Sequence, residues 1–288
     1  MEEIANQVFI EQCYPGVVSS VLKLKRGLVI IDGPCRADDR HAWGQKLVNL
    51  GGGVGKLVVL LDTHTDRLSS LPLIDAPILA QENAIELIQD LPTASRSVEK
   101  QLGADPDDYD LPHNNRWPIP DITYYQQVNL YWDEQPIVVT HQPGAHVAGS
   151  WVRYDAEKVI FVGDSVVSHQ PPFLACCQID RWIEELTWLS SDFFKFYQII
   201  SGRDGVLGQE SVLKMIDFLN EIKSAVNELL WLEEKEEGIA QTAASLLSHL
   251  SFEREKFESY HTCLVRELNN LVRRTKLAQE NGGLNASV

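Results

Sequence analysis

From Lys56 to Pro72 the chain reads KLVVLLDTHTDRLSSLP. Five apolar residues, Leu57 to Leu61, give way at once to Asp62, Thr63, His64, Thr65, Asp66 and Arg67. A continuous, β-branched-rich run reads as a strand buried on both faces. Such a strand needs helices on either side of its sheet, so this stretch predicts an α/β fold. The polar cluster behind it puts two carboxylates, an imidazole and a guanidinium at a strand end, where burial without partners is costly. If extended geometry persists, Asp62, His64 and Asp66 point the same way, and these are side chains that bind zinc, manganese or iron. The same run also reads as a solvated strand-to-helix turn with Asp66 capping a helix. The residues alone leave both readings open.

Outward from this stretch, the first 60 residues predict short strands, with a hairpin turning at Lys25-Arg26-Gly27 and a helix stopped by Gly51 to Gly53. A short helix is expected from Ala80 to Leu91, followed by a polar, proline-rich loop over residues 93–121 that includes His113 and Trp117. Strands return in YQQVNLYW, PIVVTHQP, GSWVRYD and KVIFVGDS, and a last apolar run, YQIISGRDG, ends at Gly202-Arg203. From about Gln209 onward the pattern is helical, with Gly238 as a stop signal. Trp182 and Trp188 are expected in the core of a preceding helix.

The 288 residues suffice for one large domain or two modest ones. A formal net charge of −16 argues against nucleic acid or an anionic membrane as partner, since both are bound through basic surfaces. The five cysteines are scattered, and the adjacent pair Cys176-Cys177 has no metal-ribbon spacing, so they read as free thiols. The N-terminus MEEIANQ lacks a secretion signal, and no apolar run approaches the ~20 residues of a membrane span. The expected location is cytoplasmic.

Four loops carry chemistry at strand ends: Asp62 to Arg67, the THQPGAHVAGS loop with His141 and His146, Asp164 in IFVGDS, and Arg203 in IISGRDG. In layered α/β proteins ligands gather where loops leave buried strands. In their order and spacing these four loops resemble the motifs of the metallo-β-lactamase-fold superfamily, glyoxalase II-like members included. DTHTDR stands at Thr-His-x-His-x-Asp-His, PGAHVAGS at a PGHTPGS-like loop, FVGDS at the strand ending in Gly-Asp, and SGRDG where Gly-His is expected. VVSSVLKLKRGLVIIDGP is similar to the opening hairpin of that family. The likeness spans about residues 5–205.

The resemblance implies a four-layer αββα sandwich over residues 1–205, with a C-terminal helical extension over 206–288. It implies a metal site of Asp62, His64, His146 and bridging Asp164. The second metal position keeps only Asp66, because Arg67 and Arg203 stand in place of histidines and arginine cannot coordinate a cation. One divalent metal (zinc, manganese or iron) or none is therefore expected. The implied activity is hydrolysis of an ester, thioester or phosphoester of an anionic small molecule, with Asp66, Arg67 and Arg203 serving catalysis. The alternative is a degenerate, metal-free binding or scaffold protein. The helical tail could cap the site or form a homodimer interface.

Overall fold

The computed structural model describes residues 1–71, 74–91, 117–232 and 235–282. Its strands form two sheets. The first runs, in spatial order, β1 (Glu2–Ala5), β2 (Val8–Glu11), β3 (Ser19–Leu24), β4 (Gly27–Ile31), β5 (Gly55–Val59), β6 (Ile78–Gln81) and β7 (Ile122–Tyr124). Strands β1 to β4 form an antiparallel meander, and β4 to β7 are parallel. The second runs β13 (Gly205–Leu207), β12 (Gln198–Ser201), β11 (Val159–Gly163), β10 (Ser150–Tyr154), β9 (Ile137–His141) and β8 (Gln127–Leu130), antiparallel except for β11 beside β12.

Strand β5 explains its own composition. Leu57, Val59 and Leu61 pack into the core between the sheets, while Val58 and Leu60 pack outward against Trp43. Trp43 belongs to α1 (Ala37–Leu50), which covers the first sheet with α2 (Thr65–Ser70) and α3 (Asn83–Asp90). Both faces are dry, so the run needs no polar alternation. The outer face of the second sheet, through Trp151, Ile160 and Ile199, shares one core with α4 (Ile179–Leu189), α5 (Gln209–Leu229), α6 (Lys235–Leu247) and α7 (Phe257–Gly282). Each large side chain removed from water there contributes about 1.5–3 kcal/mol. The layers are helix, sheet, sheet, helix.

Local expectation fails in three places. Ala80 and Gln81 lie in β6, not in a helix, because pairing with β5 and β7 outweighs their helix preference; the helix begins only at Asn83. The strand expected in YQQVNLYW does form, as β8, after a turn at Tyr125-Gln126 where the chain leaves β7 in one sheet to enter the other. Gly238 lies inside α6 and stops nothing; a methyl group there would come 2.7 Å from Leu232 Cδ1. Trp182 is fully buried, whereas Trp188 is 42% exposed and stacks on Trp151. His113 and most of the 93–121 segment lie outside the described residues. Among the described residues no helix is long and apolar enough to cross a membrane.

Candidate metal centre

One edge of the sandwich collects the strand ends. Asp32 follows β4, Asp62 and His64 join β5 to α2, Asp164 follows β11, Arg203 sits in the β12–β13 turn, and His146 lies in the β9–β10 loop. The extended geometry of β5 does not persist through the polar cluster. The strand ends at Val59 and α2 starts at Thr65, so Asp66 and Arg67 occupy a helix's first turn. Asp62 Oδ1 accepts the His64 backbone N–H at 2.9 Å, which shapes the turn between them. The Gly202 backbone also lies close against the Arg67 side chain: a methyl group on Gly202 would come 2.5 Å from Arg67 Nη2.

Asp62, His64 and Asp164 each bring a donor atom to within 4.8 Å of the others. His64 Nδ1 lies 3.0 Å from Asp62 Oδ1 and 3.1 Å from Asp164 Oδ2. It is buried, and neither approach has hydrogen-bond geometry. Bonds of ~2.0–2.1 Å in a tetrahedral zinc site put neighbouring donors roughly 3.3 Å apart. One imidazole nitrogen and two carboxylate oxygens at this spacing fit a single divalent cation. His146 stands a ring away, its centroid 5.1 Å from that of His64. Its Nδ1 accepts the Ala148 N–H at 3.1 Å, which leaves Nε2 to carry the proton and donate to Thr63 Oγ1 at 3.2 Å. Of the four expected ligands, three meet and the fourth is engaged beside them.

The arginines fill the neighbouring space. Arg67 is completely buried; its guanidinium pairs with Asp32 and Asp164, with Nε 3.0 Å from Asp62 Oδ2. Arg203 holds Asp164 by two bonds, Nε to Oδ1 at 2.9 Å and Nη2 to Oδ2 at 2.8 Å, while Nη1 reaches Asp66 and the Gly16 carbonyl. Burial pushes the Asp62 and Asp164 carboxyls up. Arg67 and His64 more than reverse this at Asp62, and Arg203 and Arg67 at Asp164, so both lie below the ordinary range. At Asp32 burial prevails over Arg67, and the carboxyl is raised to about 7. Burial opposes charge on His64, but Asp62 and Asp164 hold its pKa well above the ordinary value. Burial, then the neighbouring His64, lowers His146 to about 4.

The cavity bounded by Asp62, His64, His146 and Asp164 measures about 10 Å3, room for one water-sized body. Neither arginine lines it. Phe173 closes it, its ring 4.8 Å from that of His64 and 5.1 Å from the Arg203 guanidinium carbon. Helix α7 fixes that plug: Glu267 Oε2 accepts the Leu174 N–H at 2.8 Å, and Arg274 Nη2 donates to the Leu174 carbonyl at 2.8 Å. Sequence reading did not single out Asp32, Phe173, Glu267 or Arg274. Asp32 carries a usable signal, an aspartate ending an apolar strand as Asp164 does; the other three carry none. His141 Nε2 lies 3.0 Å from the Val147 carbonyl and steadies the His146 loop, while exposed His169 pairs with Asp204.

No family model matches the sequence, and no curated protein matches it. Solved structures do. A metallo-beta-lactamase family protein from Thermus thermophilus superposes with a TM-score of 0.66 at 13% identity, covering 95% of each chain. A metallo-beta-lactamase from Pontibacter korlensis gives 0.61 at 16% identity, covering 76% of this chain and 97% of its own. The stereoselective inverting sec-alkylsulfatase Pisa1 from Pseudomonas sp. gives 0.66 at 13% identity, covering 94% of this chain and 49% of its own. The chain has the metallo-β-lactamase fold.

Proposed function

We propose that the chain uses the metallo-β-lactamase fold as a hydrolase with one divalent metal ion, held by Asp62, His64 and Asp164 with His146 beside them. The substrate class that suits it is an ester, thioester or phosphoester of a small anionic molecule. The observation that carries the reading is the buried His64 Nδ1, without a hydrogen bond and about 3 Å from two carboxylate oxygens. When bound, zinc, manganese or iron supplies Lewis acidity toward a carbonyl or phosphoryl oxygen and brings a water's pKa toward neutrality. Arg67 and Arg203 keep Asp62 and Asp164 ionised, and Arg203 also pairs with Asp66, so the two arginines supply the positive charge a second ion would bring. Phe173 excludes bulk water, and substrate reaches the site only when that ring moves aside.

Metal analysis of the purified protein tests the reading. About one equivalent is expected, lost in the double variant Asp62→Asn, His64→Gln, together with hydrolysis of an ester, thioester and phosphoester panel by the loaded wild type. A second reading rests on its own observation: two arginines and a protonated His64 balance the acids without any ion, around a cavity too small for substrate. Zero equivalents after reconstitution, with no thermal shift on adding metal, would establish that metal-free reading instead.

A further inference from the structure

We propose that Phe173 is a swinging gate with two apolar seats, the second being the cleft between the Val167–Pro172 segment and the first turns of α5. In the structure Phe173 caps the metal cavity, its ring against His64 and the Arg203 guanidinium. Pro172, the residue before it, lines the cleft on the other side. The cleft encloses about 540 Å3, and roughly 150 Å3 of apolar cavity is enough to take a benzene ring. Its floor is Val167, Met215 and Phe218, each nearly inaccessible. A thioether and a second aromatic ring are good packing partners for a phenyl group. Lys214, Asp217 and Glu221 on the lining are exposed, so a neutral ring on the floor leaves their charges in water.

The segment that carries the ring is held at its ends and free between them. Ser168 is fixed at one end, its N–H donated to Asp204 Oδ2 at 2.6 Å. Leu174 is fixed at the other by Glu267 and Arg274 of α7. Among the described residues no backbone hydrogen bond holds Gln170 to Phe173, and Pro171 and Pro172 have no N–H to give. The closed form also carries a polar defect. The Gln170 amide nitrogen is buried without a hydrogen-bond partner, a condition that folded proteins rarely keep. A swing of Phe173 into the cleft shifts Gln170 with it and lets water reach that amide. The ring contact with His64 and the cation–π contact with Arg203 oppose the swing. The closed form therefore dominates, and the open form is a minor state of ~0.1–10% of molecules. Opening uncovers His64 and the face of Arg203 together, where an anionic substrate would enter. What passes the gate rests on the hydrolase reading; the swing itself does not.

A para-fluorophenylalanine placed at position 173 of the full chain reads the swing by fluorine NMR. Relaxation dispersion is expected on the μs–ms timescale of such local motions. Ser211→Trp, on the half-exposed first turn of α5, fills the cleft and should cut the open population at least fivefold. Gln170→Leu removes the unpaired donor from the closed form and should cut it severalfold. If Ser211→Trp does not fold, Lys214→Trp, exposed and one turn further on, fills the same cleft. In zinc-loaded protein, release to a chelator should slow at least fivefold in Ser211→Trp and quicken at least tenfold in Phe173→Ala. A chain that takes up no zinc overturns the hydrolase reading and leaves the fluorine result to decide the gate. Absence of dispersion in the wild type, dispersion unchanged by the cleft-filling variant, or zinc release indifferent to it would overturn the proposal.

Discussion

Arg67 has no solvent exposure, yet three aspartates surround its guanidinium. A buried ion pair contributes little net stability compared with apolar residues of the same size, but removing one partner leaves an uncompensated charge. Arg67→Met is therefore expected to lower stability by about 3–5 kcal/mol, read from urea unfolding near neutral pH, and to shift toward wild type in acid as the stranded carboxyls protonate. The converse change is chemical. The double variant Arg67→His, Arg203→His returns imidazoles to positions beside Asp66 and Asp164, so bound metal should rise toward two per chain. A folded variant whose metal content stays at the wild-type value would show that the arginines form a structural ion-pair network and nothing more.

At the scale of elements, the helical layer holds a site loop in place. Gly144 shows this for the His146 loop. Both Glu185 oxygens accept its N–H, at 3.0 and 3.2 Å, and an added methyl group would come 2.4 Å from Trp182 Cα. The α4 backbone cannot give way, so Gly144→Ala should cost about 1–3 kcal/mol in denaturant unfolding. Gly238 meets the opposite situation. Its added methyl would press on the flexible tip of Leu232, a half-exposed side chain that can turn away. Gly238→Ala then gains helix propensity, and its melting temperature should rise by the equivalent of up to ~1 kcal/mol.

For the whole molecule, buried acids in the helical layer tie stability to pH. Burial raises Glu185 from 4.5 to about 7, against the Gly144 N–H and Arg181, which favour its ionised form. Between those values the folded state binds more protons than the unfolded one, so stability falls as pH climbs from about 4.5 through about 7. Glu185→Gln keeps an acceptor for Gly144 and removes that titration. Relative to wild type it should gain on the order of 1–3 kcal/mol near pH 8 and nothing near pH 4, seen as a flatter melting-temperature profile. An identical profile in the variant would place the pH dependence elsewhere, with Glu267, also raised by burial to about 7, as the next residue to test.

Much of this was legible in the chain. KLVVLL named a strand buried on both faces because no polar residue interrupts it, and that alone implied helices on both sides of a sheet. Aspartate, histidine and arginine ending four apolar runs marked the edge where the loops meet, since only a shared polar site repays such residues at buried strand ends. Helix and strand assignment failed at Ala80-Gln81, where pairing partners far away in sequence outweigh local preference. The tertiary structure alone decided the rest. It brought Asp32 onto Arg67, turned both ring nitrogens of His146 to neighbours, and set Phe173 over His64 through a grip from Glu267 and Arg274, about a hundred residues further along. The sequence determined which side chains the edge would carry, because burial pattern and chemistry are local. Which of them face one another depends on distances between chain-remote backbones, and those are defined only once both sheets and the C-terminal helices have packed.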